Sequence, residues 1–276
     1  MMKLRNRAGA TLTELIVTLV VLGVFGAGLS RLMTSQSRFI NNNEGLSEAR
    51  RVARGGVNVL LSDLRAVDAD SGVVNATSTS LTMRVPWRIG VSCGNGLGAA
   101  THVVMPPIDS LLFVFGSGGN SGYAWVDKAG FAHYSPGGNL SAGTYAVCQA
   151  ESVDTIPGGE LIAITPLLIG ADAGQPVLLY YDVSYWFGTS WDHSPSLGLF
   201  RSIDDLGIVE EVASPFDPKA QFRYYIAGSA NPVANPSVGD VVIGIDLSFI
   251  GLNRRNTTAG RTLQAPVETA VYFKNR

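Results

Sequence analysis

The chain has 276 residues, a formal net charge of −2, and 15% charged against 46% apolar residues. This length fits one or two domains, and apolar runs spread along all of it exclude a disordered tail. The near-neutral balance, without a basic patch interleaved with aromatics, argues against a nucleic-acid-binding surface.

The first nine residues carry Lys3, Arg5 and Arg7 and no acid. An apolar tract of about 20 residues follows, Ala10 to Leu29, and at about 1.5 Å per helical residue it spans roughly 30 Å, the hydrocarbon thickness of a bilayer. Arg31 closes it. Positive charge ahead of the tract keeps that end in the cytoplasm and puts everything after Ser30 outside it. A secretory signal has a shorter apolar region followed by a small-x-small cleavage site; here the small residues Ala8 and Gly9 come first. One acid, Glu14, lies near the start of the tract. A carboxylate inside a membrane helix costs roughly 3 kcal/mol on insertion scales unless it finds a partner or stays in the hydrated interface.

The segment Arg7-Ala8-Gly9-Ala10-Thr11-Leu12-Thr13-Glu14-Leu15-Ile16-Val17 resembles the prepilin signal of type IV pilins and type II secretion pseudopilins. The resemblance implies a cut by a prepilin peptidase after Gly9, on the cytoplasmic side, with Glu14 the fifth residue of the mature chain. Family members usually carry Phe or Met after the cut and methylate the new amine; this chain carries Ala10. Removing Lys3, Arg5 and Arg7 takes 20 basic against 22 acidic side chains to 17 against 22, a net charge of −5. It also frees an α-amine at the edge of an apolar helix. Where such helices pack away from water, the amine and the carboxylate each need a partner. Glu14 of one subunit then meets the amine of its neighbour, and one lateral register is favoured over those that leave both charges unpaired.

The helix is expected to continue well past the membrane. Leu46, Ala49, Ala53, Val57, Leu60, Leu64 and Val67 step by three or four, as one amphipathic stripe, while Arg50, Arg51, Arg54 and Arg65 fall largely off it. Asp68 to Gly72 reads as a stop. A helix from Ala10 to Val67 is roughly 85 Å long. Gly23, Gly26, Gly28, the stretch Asn41 to Gly45 and the pair Gly55-Gly56 are weak points, and a break there leaves an anchor helix followed by a separate one.

From Leu81 onward the pattern turns to strands. Val177 to Phe187 is a β-rich run, Val241 to Phe249 alternates, and so does Val267 to Phe273. Leu111 to Phe115, Tyr123 to Val126 and Leu161 to Thr165 are shorter candidates, and Asn231 to Pro236 reads as a loop. One long helix followed by a sheet is an α+β order. Residues 90–157 look like an insertion rich in glycine, and they hold the two cysteines, Cys93 and Cys148. In an oxidising compartment these can pair, closing a loop worth roughly 4 kcal/mol; otherwise they are two separate buried thiols.

Three later segments extend the resemblance. Val183-Ser184-Tyr185-Trp186-Phe187 followed by Leu199-Phe200-Arg201 is similar to a strand pair of PilW- and PulJ-type minor subunits. Leu60 to Arg65 resembles their L-x-x-D-L-R helix end, and Val271 to Arg276 their closing strand. The implied fold is pilin-like: a long N-terminal helix packed on a C-terminal antiparallel sheet. Its parts are a leader at 1–9, a transmembrane part at 10–30, an amphipathic half at 31–70, and a β-rich head at 71–276 with the insertion at about 90–157. The implied role is a minor pilin that initiates or caps a type IV pilus, with a minor pseudopilin of a type II secretion tip complex as the alternative. A membrane-tethered binding or enzymatic domain is the remaining class. The resemblance further implies a single-pass inner-membrane protein with its C-terminal domain in the periplasm or at the pilus tip. Implied partners are other minor and major pilins and the prepilin peptidase.

An enzyme is not expected. His102, His133 and His193 are far apart in sequence, His102 beside Thr101 and His193 beside Ser194, and all three read as surface-loop residues. Trp191-Asp192-His193-Ser194 holds the residue types of a hydrolase triad, but neighbours in a chain cannot easily stack as one. Gly94-Asn95-Gly96-Leu97-Gly98 lacks the helix and downstream acid of a dinucleotide site. Asp204-Asp205 and Glu210-Glu211 lack EF-hand spacing for calcium. Neither a cofactor, a metal, a nucleic acid nor a small-molecule substrate is expected.

Overall fold

A computed structural model describes residues 12–67, 71–94, 99–107, 122–130, 132–254 and 262–273, with Asp205 described by its backbone alone. Its first element is a single helix, α1 (Leu12–Leu64), of 53 residues. The glycines do not break it. The predicted stripe is the buried one: Ala49, Ala53, Val57, Leu60 and Leu64 face the core, joined by Val52, which the stripe did not include, and Val67 continues it past the helix end. Leu46 is only half-buried, while Arg50, Arg51, Arg54 and Arg65 are exposed. The last turn tightens, with the Val67 N–H donating to the Leu64 carbonyl at 3.2 Å.

Thirteen strands form one sheet among the described residues. In chain order they are β1 (Val73–Ala76), β2 (Ser80–Ser92), β3 (Thr101–Met105), β4 (Gly122–Val126), β5 (Ala132–Pro136), β6 (Asn139–Ala142), β7 (Glu160–Thr165), β8 (Pro176–Thr189), β9 (Leu197–Ile203), β10 (Ile208–Phe216), β11 (Gln221–Ile226), β12 (Val242–Leu252) and β13 (Gln264–Tyr272). A short helix, α2 (Tyr145–Ala150), follows β6. Among the described residues these strands pair antiparallel throughout.

The two long strands β2 and β8, of 13 and 14 residues, pair from Ser80↔Trp186 to Val91↔Pro176 and form a spine. Each then changes neighbours along its length. The far edge of β8 takes β4 at Val177–Tyr180 and β9 at Val183–Thr189. The far edge of β2 takes β1 at Leu81–Met83 and β3 at Val91–Ser92. One spine therefore serves two half-sheets with separate cores. The first core joins Ala53, Val57, Leu60 and Leu64 of α1 to Leu81, Met83, Tyr185, Leu199, Phe216, Phe222, Leu247 and Phe249. The second, around Val103, Tyr123, Trp125, Ile162, Ile164 and Leu179, contains no residue of α1. Pro86 cannot donate to a ladder, and the β2–β8 register slips between Pro86 and Arg88. Past this bulge the faces of β2 exchange, so buried Arg88 lies opposite Leu179, and its guanidinium meets Glu160 at 2.7 Å.

The predicted insertion is woven into the sheet in its described parts. β3 bridges β2 and β7, and β4 lies against β8, so the stretch builds the second core. The candidate strand Leu111 to Phe115 lies outside the described residues. Tyr123 to Val126 and Leu161 to Thr165 lie within β4 and β7.

The helix sits close to the sheet because small residues meet there. Gly251 of β12 faces the backbone of Ala49 and Ala53, where a Cβ would run into the Ala49 carbonyl oxygen. Across the same interface Gly56 of α1 faces Leu199, Phe216 and Phe249, all close enough to crowd any added methyl.

Candidate functional site

Two features set this chain apart from an ordinary α+β domain: an exposed apolar half-helix, and the way the other half is fastened.

Every residue from Leu12 to Ile40 is exposed. Among them are Leu15, Leu19, Leu22, Phe25, Leu29, Met33 and Phe39, several more than 60% exposed. α1 is long and apolar enough to cross a membrane, with none of its most apolar stretch buried. Burying a Leu, Val or Phe side chain gains about 1.5–3 kcal/mol, so a dozen such residues left in water constitute a strong demand for an apolar environment. The polar side chains do not oppose this. Thr18 donates its hydroxyl to the Glu14 and Leu15 carbonyls at 2.9 Å, and Thr34 to the Ser30 carbonyl at 2.8 Å, so each hydroxyl is folded back on its own helix. Glu14 is the single charge between Leu12 and Leu29. It lies in the first turn of α1, on the exposed apolar part.

The fastening is at the other end. The Tyr185 hydroxyl donates to Asp63 Oδ2 at 2.7 Å, and Arg201 Nε donates to the same oxygen at 3.1 Å. Arg201 Nη1 also reaches Glu210 Oε1 at 3.2 Å. Tyr185 is fully buried, and Asp63 and Arg201 are largely so. Burial and then the Asp63 charge push the Tyr185 phenol far above its ordinary range, so it remains a proton donor. Burial works against the Arg201 charge, but Asp63, Tyr185 and Glu210 together raise its pKa above the ordinary value. A phenol held protonated and a guanidinium held charged, both spent on one carboxylate, form a clasp between helix and sheet.

The clasp was not foreseen, although its members lie in the segments singled out in the sequence. Asp63 belongs to the L-x-x-D-L-R segment, Tyr185 to the aromatic strand and Arg201 to Leu199-Phe200-Arg201. What sequence reasoning lacked was their meeting.

Cys93 and Cys148 form a disulfide across 55 residues, and both are fully buried. It fastens α2 to the end of β2, beside Val104. The expected processing residues Gly9 and Ala10 lie outside the described residues, as do Asn95 to Gly98.

The remaining candidates sort into structural roles. His102 and His133 lie in β3 and β5 rather than in loops, and both are half-buried there, because these short strands are held by their ladder partners β7 and β4. His102 Nδ1 accepts from the Thr144 N–H at 3.1 Å, and His133 Nε2 lies 2.8 Å from Asp127. His193 lies in the β8–β9 loop, where its N–H donates to Ser190 Oγ at 3.0 Å. That loop hangs on Glu211, which accepts from Ser190 Oγ at 2.6 Å and the Trp191 N–H at 2.8 Å, so the triad-like residues serve a turn. Asp204 accepts from Ser202 at 3.0 Å. Among the described residues no three His, Cys, Asp or Glu side chains come together as a metal site. A cleft of about 270 Å³ lies over Arg84, Ala124, Tyr134, Leu178 and Tyr180. There Arg84 stacks 4.7 Å over the Tyr134 ring and donates to the Ser71 carbonyl at 2.8 Å.

No protein-family model, curated protein or solved structure matches the chain.

Proposed function

We propose that this chain is a minor pilin: a subunit of a type IV pilus-like filament, drawn from the inner membrane after its leader is cut between Gly9 and Ala10. The observation that carries the reading is the division of one unbroken helix, bare from Leu12 to Ile40 and apolar through Leu29, and packed on a sheet from Gly45 to Leu64. A membrane holds the bare half before assembly, and the equivalent halves of neighbouring subunits hold it afterwards. The transfer from lipid to protein costs little apolar burial, so it can be directed by polar contacts. Glu14 is the residue placed to direct it. In an apolar surround its carboxylate is costly, and the α-amine of an adjacent subunit offsets that cost only in one register. The clasp at Asp63 keeps the head from swivelling on the helix, so register set at one end reaches the other.

The test has two parts. Mass spectrometry of the membrane-extracted protein is expected to find Ala10 as the mature N-terminus; an intact leader, or a cut beyond Leu29, defeats the reading and leaves a plain tethered domain. Glu14→Ala is expected to keep processing and membrane insertion while losing co-purification with partner pilins.

A further inference from the structure

Ala124 and Leu178 pair across β4 and β8, on the side of the sheet turned away from the second core. Their strand neighbours Tyr123, Trp125, Val177 and Leu179 belong to that core, and successive side chains alternate between faces. On the outer side lies the cleft of about 270 Å³. Pro86, Val126 and Ala132 extend its apolar wall, and the Tyr134 and Tyr180 rings flank Arg84, 4.7 and 5.5 Å from its guanidinium carbon. An apolar cavity of about 150 Å³ holds benzene, so this one has room for a ring and a short polar tail.

Other polar groups of the lining are already spent. The Trp125 Nε1–H donates to the Ile169 carbonyl at 3.0 Å, and the Tyr180 hydroxyl to the Ser135 carbonyl at 3.4 Å. Arg84 is different. Its Nη1 donates to the Ser71 carbonyl at 2.8 Å, but its Nε is buried without an acceptor, and its Nη2 makes no hydrogen bond among the described residues. Asp182 stands opposite Arg84 in the ladder, yet Arg84 makes no ion pair among the described residues. A buried N–H with its bond unmade is costly. The Nε–Nη2 edge is the one that takes a carboxylate in two parallel hydrogen bonds.

We infer that this cleft binds an apolar group carrying a carboxylate, about the size of a phenyl ring with a short tail. The ring lies against Leu178 and the two alanines, and the carboxylate takes the free edge of Arg84. A sugar fits poorly, because its hydroxyls need several open hydrogen-bonding partners and the walls are apolar. A phosphate fits poorly as well, because one guanidinium is a weak match for its charge. The same chemistry is offered by a free aryl acid and by a polypeptide that ends in phenylalanine. The inference goes beyond the filament reading and does not rest on it, since leader processing, Glu14 and assembly play no part in the test that follows.

The full chain in detergent is titrated calorimetrically with phenylacetate, phenylacetamide and acetate. Phenylacetate is expected to bind saturably and about tenfold tighter than either of the others, because it alone has both ring and charge. The amide also reports uptake by the detergent. N-acetyl-glycyl-phenylalanine distinguishes the sources: tighter binding than phenylacetate assigns a chain end, weaker binding a free acid. Arg84→Gln is expected to bring phenylacetate down to the level of the amide and to leave the amide unchanged, which a purely structural role of Arg84 would not do. Ala132→Phe keeps Arg84 and fills the cleft from an exposed position, so it holds the fold while abolishing binding of both ligands. Absence of saturable binding by phenylacetate, equal affinity for acid and amide, a preference for the acid that survives Arg84→Gln, or wild-type affinity in Ala132→Phe overturns the inference.

Discussion

Asp63 and Tyr185 are 122 residues apart in the chain and meet at 2.7 Å, carboxylate to phenol, where the last turn of α1 crosses β8. Arg201, from the neighbouring strand, closes on the same oxygen at 3.1 Å. The rest of the interface is mostly apolar, with Glu48 of the helix accepting from the Arg254 N–H at 3.3 Å nearer its middle, and apolar contacts resist separation but are tolerant of small rotations. A directional contact fixes the angle.

Removing parts of the clasp is therefore expected to cost unequal amounts. Tyr185→Phe loses one hydrogen bond and keeps the ring, for about 1 kcal/mol. Asp63→Ala strands a buried hydroxyl and leaves the Arg201 guanidinium only its contact to Glu210, for about 2–4 kcal/mol. In the double variant the Tyr185→Phe cost shrinks toward zero, since its acceptor is already gone. Urea unfolding of the three variants measures this; equal single-variant losses that simply add would show no clasp.

The close approach of helix and strand gives a paired test. Gly251→Ala drives a methyl against the Ala49 carbonyl and the Ala53 backbone and is expected to destabilise by about 1–3 kcal/mol. Gly55→Ala, on the open side of the same helix, meets nothing and is expected to be neutral or to stabilise by up to about 1 kcal/mol. Thermal midpoints of the two variants should move in opposite directions.

Glu211 gives a pH dependence with a defined sign. Burial raises its pKa, but hydrogen bonds from Ser190, Ser214 and the Trp191 N–H, with His193 nearby, outweigh that and leave it below the ordinary 4.5. A carboxyl whose folded pKa is depressed stabilises the fold above its unfolded value and loses that contribution as pH falls through the folded one. Below about pH 4.5 the wild type should thus lose thermal stability more steeply than Glu211→Gln. Parallel melting-temperature curves for the two proteins from pH 6 to pH 3 would count against it.

The disulfide is expected to act locally. Replacing Cys93 and Cys148 by serine releases a loop of 55 residues, worth about 4 kcal/mol in the chain-entropy model. The loss should fall on the core that α1 does not touch. Hydrogen exchange should accelerate in α2, β3 and β7 and change little in β12 and the buried half of α1. Uniform acceleration would mean that the two cores unfold as one.

Much of the first core was legible in the residue pattern. The three-four stepping from Ala49 to Leu64 marked the buried stripe of α1, and the β-rich run Val177–Phe187 with the alternation in Val241–Phe249 and Val267–Phe273 marked β8, β12 and β13. These are local consequences of a 3.6-residue or a two-residue period laid against one apolar surface. The bare apolar half of the helix was legible for the same reason, since composition alone makes it unfit for water.

What the pattern did not contain was which surfaces share a core. The glycine-rich stretch reads as a loose insertion because its strands are short, five residues each for β3 and β4, yet both take places along the long spine. The face exchange at Pro86 depends on a partner strand about 94 residues away. The clasp depends on Asp63, Tyr185 and Arg201 converging from three elements. By itself the sequence determined a long helix, half of it unfit for water, followed by strands with one apolar side, because periodicity records the environment of each side chain within its own element. Only the tertiary structure decided that two cores hang on one strand pair and that the Asp63 carboxylate ties the helix to it. Contacts of that kind form when distant segments close on each other, and the free energy that selects them is spread over the whole packed interface rather than written in any one stretch.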